Sequence, residues 1–544
     1  MARALNRQAL FSKPNDKDNL KVLSKNADGT VHSTTNGFFW MSLLSTIVCL
    51  AIRLNFLDEP MSRDEGAYAY LGKMAIMGKA PYIDYYEMKP PLLYYLYGLG
   101  GKIFGFGDHG MRILALLLVA LSCFLIYKLA SREYTKSAAA LAPLSYAFMS
   151  LNLHAMGFSM VAEHMVNVFI LLGLVWIQMA TNRKQIIWWL YAGLSFGAAV
   201  MVKQVSVVLM LVPLFIIFSN ASSQQFSKKY SLMVFAAGVF GIISLSLLLA
   251  GFLGSFKSMF YWLWEYPSQY TSSVNFDDGM HYLKTYATRI LGFSPIFFSI
   301  IGLCLLSYLI FNKKQKSNFL WVYLLAAILT IIPGLRFYGQ YWLLIMPALA
   351  MLIANQSNLY PNLSRIFSLT IVFVIFLEMS LHSNYYFSKD LSQPIAKMYR
   401  NNPFNAIRKM SIYIGKKMSK TDKLLVLGSE PQVYLYSDKL AGIPHIYTTF
   451  IMRNSPQNTV FRNQIISYLI KERPEYVFFN LFPFSWMIQD GDDDTLYKQS
   501  FVFVNNNYKA VAAYDITANK YLYADEGQII DTYKPNQLLI FKRK

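Results

Sequence analysis

The sequence predicts a polytopic α-helical membrane protein with a small α/β domain at its C-terminal end. Three observations carry this. The 544 residues are 55% hydrophobic and 16% aromatic but only 15% charged, well below the roughly 25% charge of soluble domains. Apolar runs about as long as a membrane crossing repeat along the first 383 residues. Beyond them charged and Asn residues return, and no run is long enough to span. The net charge of +20 does not indicate nucleic acid, because the basic residues stand in short clusters between apolar runs. That is the placement the positive-inside rule produces.

The chain divides in order into a tail (1–37), a membrane domain (38–383, with a first external loop at 58–111 holding interfacial helices) and a C-terminal α/β soluble domain (384–544). The tail carries Arg3, Arg7, Lys13, Lys17, Lys21 and Lys25, and has no short apolar core before a cleavage site. It reads as a disordered cytoplasmic segment rather than a signal peptide. About eleven transmembrane helices follow, near 38–57, 112–130, 136–153, 160–180, 186–203, 205–219, 231–253, 291–311, 318–333, 341–355 and 363–383. Lys128, Arg132, Lys136, Arg183, Lys184, Lys228, Lys229, Lys313, Lys314, Lys316 and Arg365 all fall on the side of the basic tail. That side is the cytoplasm. The first loop, the loop at 152–163, the long loop 254–289, the turn 334–341 and everything after His382 are then external, in the periplasm if this is a bacterial inner membrane.

Spans five and six are separated only by Lys203-Gln204 and could form one broken helix; merging them would put Lys313, Lys314 and Lys316 outside. The Asn-x-Ser sites at Asn220, Asn355 and Asn362 land on the cytoplasmic side and need no glycosylation. Cys49, Cys123 and Cys304 lie in apolar runs and read as packing residues. The run F-K-S-M-F-Y-W-L-W-E-Y-P-S-Q-Y in the loop 254–289 suits a helix lying in the membrane interface. In the tail domain L-L-V-L (424–427) and the apolar run at 476–479 alternate with helical stretches, one at 463–471, which predicts a parallel sheet. Gly428 after a strand falls short of a dinucleotide fingerprint, and Gly101-Lys102 lacks P-loop spacing.

The chemistry is expected in the first loop. Asp64 and Glu65 stand just past the first span. A carboxylate there can accept a proton from an acceptor hydroxyl, or it can simply cap a helix N-terminus. An aromatic and acidic run follows (Tyr82, Asp84, Tyr85, Tyr86, Glu87), then Lys89 against Pro90-Pro91. Lys89 suits an anionic headgroup such as a lipid phosphate, or an interfacial anchor, and Asp84 and Glu87 have Lys79 and Lys89 as available partners. Glu163 lies just inside a span, where an ionisable residue marks a functional site by default. His164 beside it has no second His at a ligand spacing. Arg336, in a short external turn, suits bidentate phosphate contact or anchoring among aromatics. Two acids and two cations facing one side suggest activation of a hydroxyl against a substrate with a phosphate leaving group.

These residues together resemble the GT-C glycosyltransferases: Asp64-Glu65 after the first span, P-Y-I-D-Y-Y-E-M-K-P-P-L-L-Y-Y-L, the acid near the start of span four, and R-F-Y-G-Q-Y-W-L-L-I-M-P. The nearer relatives are the protein O-mannosyltransferases and the lipid A aminoarabinose transferases. The resemblance covers 38–383 and implies a GT-C fold and transfer of a sugar, with inversion, from a polyprenyl-phosphate donor. By that resemblance Asp64 is the base, Glu65 its neighbour, Glu163 the second acid, and Lys89 and Arg336 the donor-phosphate contacts. Tyr68, Tyr82, Asp84, Tyr85, Glu87 and Tyr341 complete the expected donor site. Where relatives often carry His-Tyr this chain has Gln340-Tyr341. Metal use differs within the class, so no cofactor is implied and a divalent metal stays open.

The implied partners are the lipid-linked sugar, the bilayer, and a glycan, lipid or protein acceptor. The rival from another class is a transporter or flippase of lipid-linked glycans, for which polar residues at mid-membrane and repeated halves are expected. No internal repeat is present. A membrane scaffold that recruits partners through its tail leaves the charged first loop unexplained.

Overall fold

A computed structural model describes residues 31–219, 226–311, 318–359, 363–391, 396, 398–399, 402–530 and 533–544. Most of the tail (1–30), the sites at Asn220 and Asn362, and Lys313, Lys314 and Lys316 lie outside these residues. By contacts the chain forms two compact units that are not linear segments: 1–57 with 112–249 and 271–394, and 58–111 with 250–270 and 395–544.

The first unit is helical. Each apolar run of the sequence falls on a helix, and among the described residues six helices are long and apolar enough to cross a membrane: Gly37–Phe56, Asp108–Ala130, Ala162–Arg183, Lys228–Phe252, Gly339–Leu359 and Ser364–Leu381. A seventh crossing arises if Phe276–Phe293 and Pro295–Ser307, bent by 104°, count as one. The first helix runs Val31–Ile52, so residues 31–37, read as disordered tail, extend its early turns. No proline interrupts that stretch, and an existing helix adds turns readily.

Two breaks shape this unit. Ile187–Val202 ends at Lys203, whose backbone is extended (φ −152°, ψ 117°), and a 3₁₀ segment Gln204–Met210 leads into Leu211–Phe218. The bend after Phe293 comes at Ser294-Pro295, where proline cannot donate to the preceding turn. There the buried carboxylate of Glu378 accepts from the backbone N–H groups of Ile296 and Phe297 at 2.8 and 3.3 Å, capping the new helix. An acid at this end also meets the positive pole of the helix dipole. Arg53, buried at the end of the first span, uses both terminal guanidinium nitrogens. It donates to the carbonyls of Gly157 (2.5 Å) and Ser150 (3.0 Å) and to Ser150 Oγ (2.7 Å).

The second unit holds the first loop, the segment 250–270 and the C-terminal region. Helices Arg63–Ile76 and Leu92–Phe104 cross at Gly72 and Gly98, each too close to the other helix for a side chain. The C-terminal sheet has five strands: β1 (Leu424–Leu427), β2 (Tyr476–Asn480), β3 (Tyr508–Asp515), β4 (Lys520–Tyr523) and β5 (Gln537–Arg543). Their order is β1-β2-β5-β3-β4. Only β1 and β2 are parallel. The expected parallel sheet is therefore mixed: β5 returns antiparallel between β2 and β3, and β3-β4 is a hairpin. Helices Pro456–Glu472 and Thr495–Asn507 fall between the strands, and β1 and β2 are buried along their whole length.

Candidate active site

The second unit brings together Asp64, Glu65, Tyr68, Tyr82, Asp84, Tyr85, Glu87 and Lys89; Glu163, Arg336 and Tyr341 belong to the first. Each group sits within its own unit.

In the second unit, Ser62 caps the helix Arg63–Ile76. Its Oγ accepts from the Glu65 N–H, and the Glu65 carboxylate accepts from the Ser62 N–H at 3.3 Å. This is a capping box, the S-x-x-E pattern of residues 62–65. Glu65 is buried in that role, while Asp64, one residue earlier in the first turn, is exposed. The Asp64 charge acts on the buried groups of one cluster. Burial first, and then the Asp64 charge, pushes the Tyr68 hydroxyl well above its ordinary value. Glu87 is buried, and desolvation pushes its carboxyl up to about 7; Lys89 opposes the shift and Asp64 adds to it. The Tyr447 phenol is raised by burial and by Glu87 and Asp64.

The Lys89 backbone is pinned. Its carbonyl accepts from the hydroxyls of Tyr82 (2.7 Å) and Tyr94 (2.8 Å) just before Pro90-Pro91 open the next helix. Tyr82 has a positive φ of 66°, a conformation rare for a bulky residue and costing on the order of 1–3 kcal/mol. Its N–H donates to the Tyr85 carbonyl at 2.8 Å, which closes the turn. Tyr85 is buried edge-on to Tyr94. Asp84 is exposed and accepts from the Ala80 N–H at 2.7 Å, so it caps this turn.

In the first unit, Glu163 opens the helix Ala162–Arg183 and forms a buried ion pair with Lys203. The Lys203 ammonium also lies 3.8 Å from the centre of the Tyr341 ring, a cation–π contact. Arg336 is buried and donates to Ser273 Oγ at 2.9 Å and to the Tyr338 hydroxyl at 3.5 Å. Both of its neighbours, Leu335 (φ 49°) and Phe337 (φ 46°), are left-handed, after Gly334 at φ 77°. Gly334 takes its positive φ freely, whereas Leu335 and Phe337 hold theirs at a cost in backbone strain. Gly339 is required where it stands, since a Cβ there would fall 1.8 Å from the His154 carbonyl oxygen.

Sequence reasoning missed four residues. Lys203 was visible as a lone cation within apolar sequence. Tyr447, and the Arg63–Glu430 ion pair at 2.9 Å, had no local signal, because partners 367 residues apart meet only in the fold. Among the described residues no group of three His, Cys, Asp or Glu side chains could hold a metal.

The family model for dolichyl-phosphate-mannose-protein mannosyltransferases matches residues 88–248. No curated protein sequence matches. In fold the chain is similar to ArnT from Cupriavidus metallidurans bound to undecaprenyl phosphate, with a TM-score of 0.56 at 11% identity, covering 94% of this chain and 98% of that one. The apo state of the same protein gives a TM-score of 0.54 at 11% identity, covering 92% and 97%. Family match and fold together support the GT-C glycosyltransferase resemblance drawn from the sequence.

Proposed function

We propose that this chain is a membrane glycosyltransferase that moves a sugar from a polyprenyl-phosphate donor to a hydroxyl acceptor. The observation that carries this is the loop 58–111: an exposed carboxylate, Asp64, shares one cluster with the buried acid Glu87 and with Lys89. A solved structure similar to the chain in fold is that of a protein bound to undecaprenyl phosphate, which supports the donor class.

Asp64 takes the proton of the acceptor hydroxyl as that oxygen bonds to the anomeric carbon. The bond from this carbon to the phosphate oxygen breaks, and its electron pair leaves with the lipid phosphate. Lys89 and Arg336 meet the charge that develops there. Attack opposite the leaving group inverts the anomeric centre. Glu163 acts through Lys203, holding the ammonium in place, and Glu65 holds the helix that presents Asp64. Tyr68, Tyr82, Tyr85 and Tyr341 shape the donor site. The reaction faces the exterior of an inner membrane, with the N-terminus cytoplasmic and the C-terminal domain periplasmic. Nucleotide sugars are cytoplasmic, so an external reaction needs a donor whose apolar tail lets it be moved across the bilayer.

Membranes holding the protein, supplied with polyprenyl-phosphate sugars, should release free polyprenyl phosphate from one of them. Lipid translocation in vesicles with no new glycosidic bond would instead establish the flippase reading.

A further inference from the structure

The segment after the span Lys228–Phe252 forms one continuous helix in three parts: Phe256–Phe260, a π turn Tyr261–Glu265, and Tyr266–Thr271. Its two faces differ. Ser255, Met259, Trp262 and Tyr266 are buried. On that side Trp262 stacks on Tyr86 (4.9 Å between ring centres) and on Phe461 (5.6 Å), and Ser258 Oγ donates to the Tyr82 carbonyl. The inner face therefore grips the loop that carries Lys89.

The outer face is apolar and uncovered. Phe252, Phe256, Phe260 and Trp264 are 88, 53, 54 and 72% exposed. Phe256, Phe260 and Trp264 lie on this helix and recur every four residues, a spacing that drifts by about 40° per step on an α-helix. The π turn winds more slowly and opposes that drift, bringing Trp264 back into line with Phe256. Exposed Lys257 and Glu265 flank the stripe.

We propose that this aromatic stripe is seated in the bilayer interface and sets the height of the Lys89 loop against the lipid headgroups. The occupant follows from chain continuity. Lys228–Phe252 is a 25-residue apolar helix most of whose surface is uncovered, as a lipid-facing span requires. Its last residue, Phe252, is itself exposed, and the helix that carries the stripe starts at Phe256, directly after the turn at Gly254 (φ 72°). A surface joined this closely to a span lies at the membrane boundary. Aromatic side chains favour that zone, and Lys257 can extend its ammonium to phosphate from there.

The test places a nitroxide at Phe256→Cys, Phe260→Cys, Trp264→Cys and, off the stripe, Gln269→Cys in the full chain. The labelled protein goes into phosphatidylcholine vesicles, and collision with oxygen is compared with collision with a water-soluble nickel chelate. The three stripe positions should shift toward oxygen and Gln269→Cys toward nickel. Equal, water-like accessibility at all four positions overturns the proposal. So does spin–spin broadening between stripe labels, which would mean that a second copy covers the face. This readout needs no activity, so it stands apart from the transferase reading. A second arm rests on that reading: the triple change of Phe256, Phe260 and Trp264 to Ser should raise KM about tenfold for a long-chain donor in vesicles. KM for a short, water-soluble polyprenyl-phosphate analogue should stay unchanged. An equal rise for both donors overturns the claimed role in setting height.

Discussion

Asp64 and Glu163 are both acids in the first turn of a helix, yet they lie in opposite environments. Asp64 is exposed beside an acid that burial keeps near neutrality, and its charge acts on Tyr68, Glu87 and Tyr447. Glu163 is buried within apolar helices and is neutralised by Lys203, which leans on Tyr341. A carboxylate in a membrane persists by pairing, because an unpaired charge in a low-dielectric setting costs several kcal/mol. Pairing removes its capacity to take a proton from a substrate. On the proposed function the two acids divide the work: Asp64 acts on the acceptor, while Glu163 holds the Lys203 cation in place.

The contrast breaks most readily at Asp64. Asp64→Asn keeps the shape and removes proton acceptance, so turnover should fall by about 10²–10⁴-fold, read as release of polyprenyl phosphate. Glu163→Ala should act on stability instead. It strands the buried Lys203 ammonium, with a loss of about 3–5 kcal/mol, seen as a lower thermal midpoint in detergent. Glu163→Ala combined with Lys203→Met should recover much of that loss. Lys89→Ala should weaken undecaprenyl phosphate binding by roughly one to two powers of ten, the worth of a charge-assisted contact of about 1.5–3 kcal/mol. If Lys89→Ala and Arg336→Ala both bind as the parent does, both are interfacial anchors.

Glu87 sharpens the comparison through pH. Its carboxyl is raised from 4.5 to about 7, so the folded protein holds a proton there that the unfolded chain has released. Stability from this group is full at acid pH and is lost as pH rises toward about 7. The thermal midpoint should decline over that range, and Glu87→Gln should flatten the decline. The smallest effect belongs to Glu65, whose capping role predicts about 1 kcal/mol for Glu65→Ala, measured by the same melting.

Much of the fold was legible in the sequence, because apolar run length and clustered Lys and Arg report directly on solvent. Charge concentrated past a span singles out Asp64 and Lys89 in the same way, and the fold places both in one compact unit. Other features were present but unread. Ser62 and Glu65 spell a capping box, and Lys203 is a cation inside apolar sequence. The insertion of β5 between β2 and β3 could not be read, since strand order depends on pairings between distant segments. Nor could the meeting of Tyr447 with the Asp64 cluster, for which no periodicity or spacing exists.

The most direct test of the central claim measures binding and turnover separately in Asp64→Asn. Undecaprenyl phosphate affinity should match the parent while transfer from a polyprenyl-phosphate sugar collapses, as expected of a base that acts on the acceptor. Transfer at near-parental rate would contradict the account, and so would a loss of affinity in step with turnover, which would make Asp64 part of the donor's binding site and leave the acceptor without its base.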